Sequence, residues 1–231
     1  MRFRYKIYVI VFTVLIMFIG LGTFSLISPS IEFKEDKKVV SNSKKENKVS
    51  KLDKSDNDVN KQIEELVTGY LNAKQKVDLE GIAAYVNDIS KVDEKRLVAE
   101  AEYIEEYRNI ECTIKKAEDG AYRVYVYYEV KIYDIDTLVP SLIALYVTPD
   151  NDSGYKIYLG ALNSSTQKKI NELDRSDEVK AMTESVQKKL EEIISTNSEV
   201  KKFYEKLEAT DASREATDDN TDIDKEAKTS K

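Results

Sequence analysis

The sequence contains no histidine and only one cysteine, Cys112. Zinc sites of the cysteine–histidine kind and catalytic triads with a histidine base need residues that are missing here, so both kinds of site are excluded. Cys112 has no second cysteine with which to form an intramolecular disulfide. It lies in an alternating run that predicts a strand, where a buried small apolar residue is favoured over a reactive thiol.

The sequence also lacks a concentrated basic region. The net charge is −7, and lysines and arginines are interspersed with acidic residues along the whole chain. Because nucleic-acid binding requires a basic patch or stripe that neutralises phosphates, the sequence predicts no nucleic-acid partner. The residue pattern predicts no metal ion and no other cofactor.

One long hydrophobic run is present, at Ile7–Ile27. Its twenty-one residues include no charged side chain and are enough for a helix to cross about 30 Å of hydrocarbon. Arg2, Arg4 and Lys6 precede it, so the positive-inside rule places the N-terminus in the cytosol and the chain after the run outside the cell membrane. A cleaved signal peptide is the alternative, but its apolar core is normally shorter, and no A-x-A-like cleavage site follows here.

Composition divides the chain into five parts. Residues 1–28 are the predicted cytosolic stub and transmembrane anchor, and the polar residues 29–58 predict a flexible linker. Residues 210–231 contain one large apolar residue and predict a disordered acidic tail. Between these parts we expect an α+β domain over residues 59–163 and a helical extension over residues 164–209.

Apolar residues at helical spacing predict three helices at the start of the α+β domain. The first extends from Val59 to Leu71, and the second from Leu79 to Val86. The third begins near Asp93, a residue type that caps helices, and is expected to continue through Ile104 and Tyr107.

The apolar period then changes from 3.6 to 2, which indicates strands. The clearest alternation lies between Tyr122 and Asp134, and shorter runs predict three further strands, at residues 110–116, 141–148 and 155–159. Turn residues between these runs predict hairpins, at residues 118–120 and 149–154. We therefore expect a curved antiparallel sheet of about four strands with the three helices packed on it.

After Leu162 the spacing of three and four residues returns and continues to Leu207, which predicts two or three C-terminal helices. Their apolar stripe has two possible uses. It can pack on the α+β domain, which is the commoner arrangement, or it can face a helix of a partner protein.

The order of elements over residues 59–163 resembles the nuclear-transport-factor-2-like superfamily. Three segments also resemble recurring sequence segments of membrane-anchored exported proteins of Gram-positive bacteria. They are EYIEEYRNIE (102–111), AYRVYVYYEVKIYDIDTLVPSL (121–142) and FYEKL (203–207). The resemblance implies a cone-like α+β fold with a pocket, in a protein held at the cell envelope. Related proteins often carry a cysteine zinc ribbon before the membrane helix, and this chain has no cysteines for one.

Tyrosine is the most unusual local feature, with fifteen in the chain. Tyrosine rings and hydroxyls suit a face that binds a peptide or a glycan, although the same residues suit a half-exposed strand by β propensity alone. The candidate ligand-binding face comprises five residues: Tyr103, Tyr107, Tyr125, Tyr127 and Glu129. The other acids near it are expected on a solvated helix surface, namely Glu100, Glu102, Glu105 and Glu106.

The leading functional hypothesis is a non-enzymatic binding or assembly module at the cell envelope. Its partner would be an envelope protein, a peptide or a wall polymer. A small pocket enzyme is the first alternative, and it requires a closed apolar cavity with a carboxylate at its floor and tyrosine donors converging on it. The second is a component of a secretion or conjugation apparatus, which would self-associate or bind other membrane subunits.

Overall fold

The computed structural model describes residues 54–118, 120–150, 154–207 and 209. These residues form an α+β fold with one four-stranded antiparallel sheet and helices before and after it, which confirms the predicted fold class. Within these ranges no helix combines the length and apolarity needed to cross a membrane. The predicted anchor, most of the linker and the acidic tail lie outside the described residues.

Within the described residues, three α-helices and one 3-10 turn precede the sheet. They are α1 (Lys54–Gln75), α2 (Leu79–Ala83), the 3-10 turn Ile89–Lys91 and α3 (Glu94–Ala101). Asp78 and Asp93 occupy the N-cap positions of α2 and α3, where each carboxylate accepts a backbone N–H from the first turn.

The third predicted helix is wrong beyond Ala101, because Ile104 and Tyr107 lie in a strand. In the β1–β2 register Ile104 faces Ile132 and Tyr107 faces Val130, so β1 has one residue more than β2 between these pairs. This β-bulge changes the two-residue alternation of buried side chains into a spacing of three, which is also a helical spacing.

The strands form a meander. They are β1 (Ile104–Glu118), β2 (Ala121–Ile132), β3 (Ile135–Asp150) and β4 (Gly154–Ile157), in the spatial order β1-β2-β3-β4. Gly120 and Asp134 adopt left-handed conformations in the first two turns. β3 begins six residues before the predicted strand and includes Pro140, which β3 tolerates because β4 pairs only with its last four residues.

The main core lies between α1 and one face of the sheet, which we call the inner face. Ile63 and Val67 of α1 and Val124, Val126 and Tyr128 of β2 are fully buried there. Removing an aliphatic side chain of this kind from water stabilises the fold by about 1.5–3 kcal/mol. This layer holds the N-terminal helices against the sheet.

The C-terminal helices cover the opposite face, which we call the outer face. They are α4 (Ser164–Asp174), α5 (Asp177–Thr196) and α6 at residues 198–207. Val179 and Val186 of α5 pack on Tyr125 and Leu142, and Ile170 of α4 packs in a second cluster. The apolar stripe of these helices therefore packs on the sheet, the first of the two uses considered above.

The end of α5 and α6 reach back to the main core. Leu190, Val200 and Tyr204 belong to that core, and the Phe203 ring lies 5.5 Å from the Tyr103 ring, between centroids. Asn197 Nδ2 also donates to Thr137 Oγ1 at 2.7 Å. The C-terminal segment thus contacts both faces of the sheet around the start of β3.

Candidate functional site

The five candidate residues do not form one continuous face. Tyr125, Tyr127 and Glu129 occupy alternate positions of β2 and lie on the outer face, whereas Tyr107 is buried in the main core on the inner face. Tyr103 precedes β1 and packs on the main core beside Phe203. Tyr107 was predicted on a helix, but it lies in β1 opposite Val130, on the face of the sheet away from Tyr125 and Tyr127.

Tyr125 is a structural residue. Its ring is buried under α5, and its hydroxyl donates to Asp174 Oδ1 at 2.6 Å. Arg123 donates from Nε and Nη2 to the two oxygens of the same carboxylate, each at 2.9 Å, and from Nη1 to the Ala144 carbonyl. These three side chains, Arg123, Tyr125 and Asp174, form a polar clamp that fixes the end of α4 to the outer face.

Tyr127 and Glu129 are the two candidate residues that remain together at a partly exposed site. The Tyr127 hydroxyl donates to Glu129 Oε1 at 2.9 Å, and Asn109 Nδ2 donates to Glu129 Oε2. Lys189 Nζ lies 5.3 Å from the centroid of the Tyr127 ring, a cation–π distance. We call Asn109, Tyr127, Glu129 and Lys189 the outer-face group.

The electrostatics of this group keep the Tyr127 hydroxyl protonated. Burial, followed by the hydrogen bond to Glu129 and the charges of Glu129 and Glu111, raises the pKa of Tyr127 to about 12. At neutral pH the Tyr127 hydroxyl therefore donates a hydrogen bond to Glu129. Both oxygens of the Glu129 carboxylate accept hydrogen bonds, and the Lys189 ammonium completes the group.

Sequence reasoning missed Asn109 and Lys189. Asn109 has a φ of 50° and lies in a second bulge, since Arg108 faces Glu129 while Glu111 faces Tyr127. Asparagine tolerates this left-handed conformation better than most residues. The break in alternation around Asn109 was the available signal, whereas Lys189 comes from a distant helix and left no local signal.

A second polar group lies inside the domain, where sequence reasoning expected a solvated surface. Glu100 is only 7% exposed, and Lys74 Nζ lies 2.7 Å from its Oε2. Arg96 Nε donates to Oε1 at 3.0 Å. Glu100 was therefore wrongly assigned to the solvent, because its side chain faces Lys74 and Tyr70 of α1.

Three tyrosines surround this carboxylate. The Tyr107 and Tyr128 rings meet edge to face, with centroids 5.3 Å apart. Burial and then the nearby Glu100 charge raise the pKa of Tyr70 to about 12, against a smaller opposite effect of Arg96. Burial likewise raises the pKa of Tyr107 and of Tyr128.

The Tyr128 hydroxyl is fully buried and has no hydrogen-bond partner among the described residues. Ser141 lies opposite it in the β2–β3 register. Burial raises the pKa of Tyr128, and a side-chain interaction with Ser141 opposes part of this rise. Tyr128 is thus a buried polar group of the main core that lies near the Glu100 carboxylate.

A surface depression of about 230 Å³ lies away from both polar groups. It is open and polar, between the end of β1 and α4, and is lined by Ala117, Glu118, Ser165, Lys168, Lys169 and Glu172. The described residues contain no group of three or more acidic or sulfur side chains placed to hold a metal ion.

No family model, curated protein or solved structure matches this chain. The geometry of the domain is therefore the basis for assigning its function.

Cys112 is half-buried on β1 and packs against the main core. Burial, followed by the charge of Glu64, raises the pKa of its thiol to about 11. Since the thiolate is the nucleophile, a thiol that stays protonated at neutral pH is unsuited to catalysis.

Proposed function

We propose that this chain is a membrane-anchored, non-enzymatic binding or assembly module that works outside the cell membrane. In this proposal Ile7–Ile27 crosses the membrane, residues 29–58 tether the domain, and the domain is a cone-like member of the nuclear-transport-factor-2-like superfamily. The uncharged run behind three cationic residues supports the anchor. The observed order of helices and strands supports the superfamily.

The observation that carries the proposal is how the inner layer is filled. Fully buried aliphatic side chains of α1 and β2 and the rings of Tyr107 and Tyr128 occupy it. The buried carboxylate of Glu100 is held by two cations, Lys74 and Arg96. A carboxylate fixed in this way has a structural role in the fold, so recognition is assigned to the surface.

The outer-face group is the surface site we assign to ligand binding. It combines an aromatic ring, polar side chains and a cation at one place, which suits a peptide or a wall polymer with carboxylates and hydroxyls. Lys189 supplies hydrogen-bond donors to such a ligand, and Tyr127 supplies a ring for packing. Envelope proteins with an exposed acidic peptide fit the same chemistry.

A pocket enzyme is the second candidate, and one observation favours it. The buried Tyr128 hydroxyl without a partner lies near Glu100, and a ligand oxygen could accept its proton. This alternative predicts that a small molecule binds the interior and that Tyr128→Phe weakens the binding while leaving surface recognition unchanged.

Replacing Tyr127 with alanine tests the binding proposal. We expect recovery of the partner to fall by roughly tenfold, since an aromatic anchor contributes more than about 1 kcal/mol at a binding site. The full chain is crosslinked with formaldehyde in intact cells and purified, and the attached envelope proteins and wall fragments are identified by mass spectrometry. Tyr125 is unsuitable for this test because its ring and hydroxyl belong to the polar clamp.

Tyr133→Ala is the matched control. Tyr133 is also a tyrosine of this sheet region, but it is 49% exposed, follows the end of β2 and does not belong to the outer-face group. The control should retain the partner found with the unchanged chain. Equal recovery with Tyr127→Ala and Tyr133→Ala would remove the outer-face group as the binding site.

A further inference from the structure

β1 is an edge strand of the sheet. Among the described residues, no strand pairs with β1 other than β2. Contacts lie near both of its ends: Gln75 Nε2 donates to the Glu105 carbonyl at 2.6 Å, and Thr166 Oγ1 of α4 donates to the Glu118 side chain at 2.9 Å. The middle of β1 lies between these two contacts.

Two bulges limit the regular part of this edge to residues 111–116. One bulge lies between Arg108 and Glu111 and the other between Lys116 and Glu118, and the register with β2 is continuous between them. Natural proteins use bulges and charges to prevent an edge from pairing. Residues 111–116, which we call the regular edge, carry no bulge, and their charged residues, Glu111, Lys115 and Lys116, include both signs.

An exposed regular edge can accept an added strand through its outward N–H and C=O groups. The side chains then decide which strand fits. Glu111, Thr113 and Lys115 share the outer face, because they lie opposite outer-face residues of β2, and Cys112 and Ile114 lie on the inner face.

We propose that the regular edge pairs antiparallel with the regular edge of a second copy of this chain, about a twofold axis at Thr113. This register places Glu111 of each copy opposite Lys115 of the other, so two opposite-charge pairs form. It also places Cys112 opposite Ile114 twice, and the two Thr113 side chains opposite each other.

The charges select this register. Directly opposite side chains of antiparallel strands lie on the same face of the sheet. Registers that keep both outer faces on one side of the joined sheet are therefore related by shifts of the twofold axis by one whole residue. An axis at Cys112 or at Ile114 removes both pairs between Glu111 and Lys115. Lys115 Nζ already contacts both oxygens of Glu178, and Glu111 of the second copy would extend this contact into a network of three charges.

The inference rests on the proposed membrane anchor. About five residues of each copy pair, which is a small interface for a stable dimer in dilute solution. Two chains anchored in one membrane are confined near each other, and confinement of this kind strengthens a weak contact without any new interaction. The joined sheet brings the two outer-face groups to the same side of the dimer.

A disulfide across the twofold axis tests this pairing in the full chain. We expect Cys112→Ser/Thr113→Cys to form a disulfide-linked dimer when isolated membranes are treated with a mild oxidant. Directly opposite residues of antiparallel strands have Cα atoms about 4.5–5.5 Å apart, within reach of a disulfide. Non-reducing electrophoresis measures the dimer.

Cys112→Ser/Arg108→Cys is the matched control. In the proposed register two copies of residue 108 lie ten positions apart along the joined strands, which is about 33 Å. This variant should remain monomeric under the same treatment. Failure of the Thr113 variant to crosslink, with its thermal unfolding unchanged, or equal crosslinking by both variants, would overturn the proposed register.

A charge exchange keeps the inference testable if the cysteine variants fold poorly. Glu111→Lys and Lys115→Glu should each reduce dimer recovered by an amine-independent photocrosslinker, because each homodimer then contains two like-charge pairs. Membranes that contain both variants should recover the dimer, since the mixed pair restores opposite charges. No recovery in the mixture would contradict the pairing.

Crosslinking does not depend on a ligand, so loss of ligand binding in Tyr127→Ala with crosslinking retained would separate the two proposals.

Discussion

Lys74→Met should lower the free energy of unfolding by about 3 kcal/mol. The change leaves Glu100, whose side chain is 9% exposed, with Arg96 as its single cationic partner, and Arg96 is the more exposed of its two cations. Removing one member of a buried ion pair is costly because the remaining charge stays desolvated. Urea unfolding of the full chain in detergent, followed by circular dichroism, measures the loss.

Two further variants identify the cause. Lys61→Met removes a lysine of the same helix that is 76% exposed, and it should change stability by less than about 0.5 kcal/mol. Lys74→Met/Glu100→Leu removes both charges, and it should recover much of the lost stability, because apolar residues of similar volume replace buried ion pairs well. A loss below about 0.5 kcal/mol in Lys74→Met would show that Glu100 does not depend on this partner.

Asp174→Ala should lower the free energy of unfolding by about 2 kcal/mol. The variant leaves the Arg123 guanidinium, which is 14% exposed, without its carboxylate, and leaves the buried Tyr125 hydroxyl without its acceptor. Both losses occur where α4 joins the outer face. Hydrogen exchange of α4 and of the start of α5 should therefore increase more than exchange of α1.

Glu172→Ala is the control for this prediction. Glu172 is an exposed acid of the same helix, and its removal should leave both stability and exchange close to those of the unchanged chain. If Asp174→Ala and Glu172→Ala behaved alike, the polar clamp would have no role in holding the C-terminal helices.

The alternation from Tyr122 to Ile132 was enough to predict β2 and its two faces, because a period of two has one structural explanation over so many residues. The helical spacing from Val59 to Leu71 predicted α1 in the same way. The start of β1 was not predictable, because a bulge gives Ile104 and Tyr107 a helical spacing. Local periodicity is ambiguous wherever a bulge interrupts it.

The candidate site was also predictable only where the signal was local. Tyr125, Tyr127 and Glu129 were placed on one face of a strand, and the structure has them there. Whether that face was covered depended on helices some fifty residues later in the chain, so the burial of Tyr125 under α5 had no local signal. The burial of Glu100 beside Lys74 depends on a helix pair in the same way.

Helices cover both faces of the sheet, and this limits where a partner can bind. The inner face packs on α1, and the outer face packs on α4 and α5. The partly exposed outer-face group and the regular edge of β1 are two surfaces of the described part of the chain that combine accessible polar groups with defined geometry. Both are suited to binding.

The orientation of the chain in the membrane is the most direct test of the account. Alkaline phosphatase fused after Lys231 is active only where its disulfides form, outside the cytosol. We predict an active fusion with the full chain and an inactive fusion when residues 7–27 are deleted. An inactive fusion with the full chain, at equal protein level, would contradict a module that works outside the membrane.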